Sequence, residues 1–244
     1  MIPRFHSVAT LRDLPINGTD GEIGKLNALY FDDLSWQIRY LAVDLGNWFT
    51  EDIVLIIPDA VIGLGTDQIS LGLTRQQIKD SPPLRADQPI SREYEARLYD
   101  YYQWRPYWYP SVLPGEFGGV FAVPPLTRSQ QAAEVPEASE NHLRSTAEVI
   151  GYKAQLTDEN TAKVADFIVD RTNWTIAYLV ADTGGWFGHH PVAVLPTWIE
   201  NINWVDREVQ LDLSADTLEA FNQFDLGKLN EQWRFEPAGA SQPA

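Results

Sequence analysis

Phe31 to Pro58 reads FDDLSWQIRYLAVDLGNWFTEDIVLIIP, and Asp170 to Pro196 reads DRTNWTIAYLVADTGGWFGHHPVAVLP. The two stretches align at one offset, 174 − 36 = 138 for the tryptophans and 196 − 58 = 138 for the prolines. Asp32 then falls on Asp170, Tyr40 on Tyr178, Leu41 on Leu179, Asp44 on Asp182, Gly46 on Gly184, Trp48 on Trp186, Phe49 on Phe187 and Val54 on Val192. Tryptophan is rare, so two Trp matches without a gap carry weight. The pattern indicates an internal duplication.

Within the first stretch, Ile38, Tyr40, Ala42 and Asp44 alternate with Arg39, Leu41, Val43 and Leu45. That is the period of a half-buried strand. Ile53 to Ile57 is a short apolar run closed by Pro58, which suits a buried strand. Working outward, Ser7 to Leu11 reads as a short opening strand, Pro15 to Gly21 as a turn cluster, and Ala60 to Leu64 and Gln68 to Leu73 as further strands. Thr74 is an expected N-cap for one helical turn over Arg75 to Lys79. Short strands separated by frequent turns indicate a small barrel or sandwich.

The second half repeats the plan from Ser145. Its expected strands are Glu148–Thr157, Ala162–Asp170, Thr175–Asp182, Val192–Leu195, Trp198–Ile202 and Glu208–Leu213. After Pro196 the offset becomes 140, because Gln68 to Leu71 pairs with Glu208 to Leu211, which implies a two-residue loop insertion. Ser214 is expected to cap a short helix through Phe221, and the tail beyond Phe235 to be disordered.

Between the halves, Ser91 is a candidate N-cap for a helix over Arg92 to Tyr102, with Glu93 and Arg97 four residues apart. The helix runs into YYQWRPYWYP, Tyr101 to Pro110, where Pro106 and Pro110 exclude further helix. Ser129 to Asn141 is small, polar and acidic, and reads as a flexible linker. The expected organisation is therefore a first barrel over 1–83, a helical and aromatic connector over 84–142, a second barrel over 143–224 and a tail over 225–244. Each repeat, at roughly 70–80 residues, buries only about 60% of its unfolded surface. Packing of the two barrels on each other is therefore expected.

Each repeat resembles the PRC-barrel family, the small β-barrel of the photosynthetic reaction-centre H subunit. The resemblance lies in Gly21-Glu22-Ile23-Gly24-Lys25-Leu26, Asp32, Ile38 to Asp44, Gly46-Asn47-Trp48-Phe49, Val54 to Pro58 and the strand–turn–helix Ile69 to Lys79. The second copy keeps Lys163, Asp170, Tyr178, Gly184-Gly185-Trp186-Phe187 and Val194-Leu195-Pro196. It has Glu159 and Ala162 where the first has Gly21 and Gly24, so its first hairpin should differ. The resemblance implies a mainly β fold, two PRC-type barrels, acting as a non-catalytic interaction or assembly module. The reaction-centre subunit carries a membrane helix that this sequence lacks. A ribosome-maturation factor shares the barrel, which raises RNA binding as a third reading.

The formal charge is 18 − 34 = −16. Such a chain repels phosphate backbones and anionic bilayers, which argues against nucleic acid and against electrostatic membrane attachment. No run is long enough for a membrane helix and no signal-peptide core is present, so a cytoplasmic protein is expected. The absence of cysteine excludes disulfides and thiolate chemistry.

The candidate contact residues are Trp48, Phe49, Trp186 and Phe187 in the repeated loops, and Tyr101, Tyr102, Trp104, Tyr107, Trp108 and Tyr109 in the connector. The same rings could instead cover barrel ends or join the barrels. His189-His190, adjacent in sequence, could share a metal only from a loop, and no further ligand spacing accompanies them. Asp32, Asp170, Asp44 and Asp182 could serve as acid–base carboxylates. Their places near turns suit bonds to backbone N–H groups equally well. No phosphate loop, nucleophile elbow or dinucleotide fingerprint is present. The expectation is thus no cofactor, no metal, a protein partner of unknown identity, and compatibility with a homo-oligomer. The alternative is a small-ligand-binding protein or hydrolase with its site between the barrels.

Overall fold

The computed structural model describes residues 3–46, 53–84, 90–108, 142–184, 191–220 and 225–232. It is mainly β. The first half contributes β2 (Pro15–Gly18), β3 (Gly21–Asp32), β4 (Ile38–Asp44), β5 (Ile53–Ile56), β6 (Val61–Leu64) and β7 (Ile69–Leu71). The second contributes β9 (Lys153–Gln155), β10 (Thr161–Asp170), β11 (Thr175–Asp182), β12 (Pro191–Val194), β13 (Ile199–Asn203) and β14 (Glu208–Leu211). Two three-residue strands, β1 (Phe5–Ser7) and β8 (Leu143–Ser145), precede the respective halves. The sheets have orders β5-β4-β3-β2-β7-β6 and β12-β11-β10-β9-β14-β13, so they follow one plan strand for strand.

The agreement reaches single residues. Ladder shifts fall at Leu26/Ala28, Tyr30/Phe31 and Val61/Gly63 in the first sheet, besides one at Ile16/Asn17 that has no counterpart between β9 and β10. They fall at Val164/Asp166, Ile168/Val169 and Ile199/Asn201 in the second, each 138 positions on. A bulge bends and twists a strand, so its position is a shape feature. Positive φ recurs likewise at Trp36 (59°) and Trp174 (54°), and at Gly46 (72°) and Gly184 (67°). The left-handed region is costly for a bulky side chain. Two tryptophans therefore carry the same unfavourable backbone at the same place. The offset grows to 140 at Leu71 and Leu211, and the extra residues lie in the turn after β13.

The short strands cross over. Phe5–Ser7 pairs antiparallel with Ile168–Asp170 of the second sheet, and Leu143–Ser145 pairs with Tyr30–Asp32 of the first. Each half thus donates its leading strand to the other. The halves also meet where Gln37 bridges Thr175. Ile38 N–H donates to Trp174 O at 2.7 Å, and Ile176 N–H donates to Trp36 O at 2.9 Å. One apolar core then runs through both halves, with the rings of Phe31 and Phe167 meeting at 5.5 Å. The indole of Trp36 stacks on Phe31 at 5.5 Å, a contact whose offset counterpart is Val169, so the backbones correspond while the ring neighbours differ.

Several expectations change. The predicted strand at Ser7–Leu11 is a strand only to Ser7. A helical turn α1 (Val8–Leu11) follows, because the Ser7 side chain caps it and Val8 and Leu11 fall on one face. The predicted strand at Glu148–Thr157 is likewise a helical turn, Thr146–Val149, followed by β9. The Pro15–Gly21 cluster forms β2 before it turns. The helices at Arg75–Lys79 and Arg92–Tyr102 form where expected, capped by Thr74 and Ser91. A helix at Leu226–Gln232 lies in what reads as tail.

Neither sheet closes into a barrel among the described residues. Pro58 and Pro196 lack an N–H for the ladder and open short 3₁₀ turns. The chain leaves β5 and β12 there, and β6 and β13 pair instead with β7 and β14. As expected from the missing glycines, the hairpins differ. Gly18 faces Gly21 in the first, whereas Gln155 faces Thr161 across a longer turn in the second.

Candidate functional site

The helix Arg92–Tyr102 is the element around which the chemistry gathers. Ser91 Oγ accepts from Tyr94 N–H at 3.2 Å, and Glu93 and Glu95 lie in the first turn, where negative charge suits the helix dipole. Gln103, at φ 57°, ends the helix in left-handed geometry. Its N–H and that of Trp104 return to Asp100 O at 3.3 Å and Tyr99 O at 3.0 Å. This closes the last turn and sends Trp104 back over the helix.

Tyr94, Glu95, Leu98 and Tyr99 form the buried face of this helix, which packs on Tyr40, Ala42 and Leu55 of the first sheet. A carboxylate therefore sits in an apolar contact. Glu95 is 2% exposed. Tyr40 Oη donates to Glu95 Oε1 at 2.6 Å, Tyr107 Oη donates to it at 3.0 Å, and Arg92 pairs with Oε2 at 2.9 Å. Burial raises the Glu95 pKa, and the Tyr40 bond, the Arg92 charge and the Tyr107 bond offset only part of that rise. Burial first, and then the Glu95 charge, push the Tyr40 phenol far up, so it remains a donor.

The rings of the connector lie over this helix and sheet. Tyr102 and Trp104 stack at 4.0 Å and 12°, while Trp108 meets Tyr99 edge-on at 5.1 Å. The guanidinium of Arg39 lies 4.0 Å over Tyr107, and Arg92 lies 4.4 Å over Trp108. Tyr102, Trp104, Tyr107 and Trp108 are half-buried and Tyr101 is exposed, its hydroxyl donating to Gln77 O at 2.7 Å. The structure thus brings Tyr101, Tyr102, Trp104, Tyr107 and Trp108 together as a ledge on one sheet. Trp48, Phe49, Trp186, Phe187, His189, His190 and Tyr109 lie outside the described residues. Among the described residues no group of three His, Asp or Glu is placed to hold a metal.

The four repeated aspartates are not gathered into one site. Asp32 Oδ1 accepts from Leu34 and Ser35 N–H at 3.1 and 2.9 Å, and Asp170 Oδ1 accepts from Thr172 N–H at 2.9 Å. Asp44 and Asp182 hold Gly46 and Gly184 N–H at 2.8 and 2.9 Å. Burial alone would raise the Asp32 and Asp170 pKa values. Hydrogen bonds and the nearby Arg39 and Arg4 reverse that and lower both. All four build turns, and in Asp32 and Asp170 the charged form is favoured.

Beside the ledge, a cleft of about 280 Å³ opens at the junction of the halves. Gln37 to Arg39, Ile57 to Asp59, Tyr99, Arg105, Tyr107 and the turn Thr172 to Trp174 line it. Gln37 Nε2 donates across it to Asn173 O and Trp174 O, each at 2.8 Å.

Sequence reading missed Glu95. Its signal was present, since Glu95 sits one residue after Tyr94 and three before Leu98, on the face that carries the helix's apolar residues. No helix among the described residues is long and apolar enough to cross a membrane. Neither a scan of protein-family models nor a search of curated proteins finds a match to this chain.

Proposed function

We propose that this chain is a non-catalytic interaction or assembly module, two fused copies of a PRC-barrel-type unit that engages a protein partner in the cytoplasm. The strand order, bulges and left-handed residues repeated at one offset support the duplication. Each repeated aspartate holds a turn N–H group and Glu95 is enclosed by its donors, which favours structural roles for these carboxylates.

The observation that carries the reading is the aromatic ledge. Four rings, Tyr102, Trp104, Tyr107 and Trp108, keep part of their surface in solvent while their other faces are fixed by packing, and the exposed Tyr101 meets Tyr102 edge-on. Rigid, part-exposed aromatic clusters are favoured anchors at interfaces because little entropy is lost when a partner covers them. The test is quantitative affinity enrichment with wild type and with a Trp104→Ala/Trp108→Ala variant of verified fold. Partners enriched by wild type and lost by the variant are expected. Enrichment unchanged by the variant, or turnover of a substrate in a broad screen, would overturn the reading.

A further inference from the structure

The cleft at the junction is not built the same way on both sides of the pseudo-symmetric pair. Its lining includes Arg39, Arg105 and one carboxylate, Asp59. Two guanidiniums thus face a cleft whose lining holds one carboxylate, and Arg39 also has Asp32 Oδ2 behind it at 3.4 Å. The positions at the 138 offset from its two half-specific sides are Thr175, Ile176, Ala177, Leu195, Pro196, Thr197, Leu34, Ser35 and Trp36, none of them charged. The cation is therefore not a by-product of the shared framework.

Arg39 is also poorly served by its own surroundings. Its Nη2 reaches Asp32 Oδ2 and Ser35 Oγ only at 3.4 Å each, beyond the ordinary range for such bonds, and its Nε is buried with no partner. The guanidinium carbon lies 4.0 Å from the Tyr107 ring centroid, a contact that restrains the group while Asp32 Oδ2 and Ser35 Oγ stay at 3.4 Å. Around it stand apolar and aromatic groups, Ile57, Pro58, Tyr99 and Trp174. The volume, about 280 Å³, falls just below the usual range of small-molecule sites and suits a small ligand.

We propose that this cleft binds a small aromatic carboxylate, its carboxylate on the Arg39 guanidinium, its ring against Trp174, Tyr107 and Ile57, and Arg105 as a second cation at the rim. Arginine suits this task because its fork matches a carboxylate's two oxygens. The aromatic walls take up the ring, and water is excluded from one side of the ion pair. This site adds a ligand to the interaction module and shares Tyr107 with the ledge, but Trp104 and Trp108, on which the partner test turns, do not line it, so the two readings fail separately.

The test is titration calorimetry of the full chain with benzoate and with benzamide, its neutral isostere, at low ionic strength. Benzoate is expected to bind, and benzamide to bind at least about tenfold more weakly, as loss of a charge-assisted hydrogen bond requires. Arg39→Gln should weaken benzoate about tenfold or more and Arg105→Gln about threefold, with Arg12→Gln, an exposed arginine outside the cleft, unchanged. Equal binding of benzamide and benzoate would overturn the proposal, as would no benzoate binding up to about 10 mM. Wild-type affinity in Arg39→Gln with an unchanged thermal melt would also overturn it. Should Arg39→Gln fail to fold, the benzoate–benzamide ratio on wild type and the Arg105→Gln variant still decide the question.

Discussion

The two sheets share their order and three of their ladder shifts but not what covers them. Over the first lies the helix Arg92–Tyr102 with the aromatic ledge, and at its centre an enclosed carboxylate. Against the second, among the described residues, lie the helical turn Val8–Leu11 and the short helix Leu226–Gln232, the latter with Leu226 and Leu229 against Phe5, Ile168 and Val180. Asn230 of that helix brackets the donated strand, accepting from Phe5 N–H at 2.9 Å and donating to Phe5 O at 3.0 Å. Tyr40 and Tyr178 make the contrast concrete. At equivalent places, Tyr40 is fully buried and donates to Glu95, whereas Tyr178 is half-buried with its ring 6.4 Å from Phe5. Matching strand order sets the framework of both sheets, and the helix and connector give the first a polar core and an aromatic surface that the second does not carry among its described residues.

The comparison breaks most visibly at Glu95. Glu95→Ala leaves Arg92 without its buried partner and should cost about 3–5 kcal/mol of stability, read by denaturant unfolding. A cost under about 1 kcal/mol would mean that the carboxylate does not hold the helix to the sheet. Tyr40→Phe removes one donor to a buried charge and should cost about 1.5–3 kcal/mol. Tyr178→Phe should cost less than about 1 kcal/mol, because water can replace whatever a half-buried hydroxyl holds. Equal costs would erase the asymmetry.

A smaller effect concerns pH. The folded-state pKa of Glu95 lies above its unfolded value, so the stability linked to its proton is fully present below the unfolded pKa and is lost as pH rises through the raised one. Glu95→Gln lacks this titration. Relative to Glu95→Gln, wild type should therefore gain stability on acidification from neutral pH towards the unfolded pKa. Asp32 and Asp170 act in the opposite sense, their lowered values giving stability that disappears only at lower pH, and they do so in both proteins. A difference between wild type and Glu95→Gln that does not vary with pH would contradict the assignment.

Much of this framework was legible in the residues. Thr74 and Ser91 announce their helices, Ile38 to Asp44 alternates as a strand, and the change of offset from 138 to 140 locates the longer turn before β14. What escaped shares one physical cause, which is partners distant in sequence. Phe5–Ser7 and Leu143–Ser145 are three residues each, too short for a period, and their pairing lies in the other half. The helix at Leu226–Gln232 contains Gly227 and has only Leu226 and Leu229 as an apolar pair, so tertiary contact with the donated strand supplies what propensity does not. Glu95 escaped because a glutamate in a first helical turn is ordinary at the surface, and only the covering of Tyr40 makes it a core residue. Barrel closure was inferred from strand number, whereas the proline-led turns after β5 and β12 send the chain to a different neighbour.

The reciprocal exchange of leading strands is the claim on which the joined architecture depends, and the chain has no cysteine to confuse a cross-linking test. His6 faces Val169 and Tyr30 faces Ser145 as direct antiparallel neighbours, a separation a disulfide can bridge. The measurement is oxidation of the His6→Cys/Val169→Cys and Tyr30→Cys/Ser145→Cys variants, read by mass and by non-reducing gel. Both pairs should close within a single chain. Disulfide-linked dimers, or thiols that stay free in a folded protein, would show that the halves do not complete each other as described.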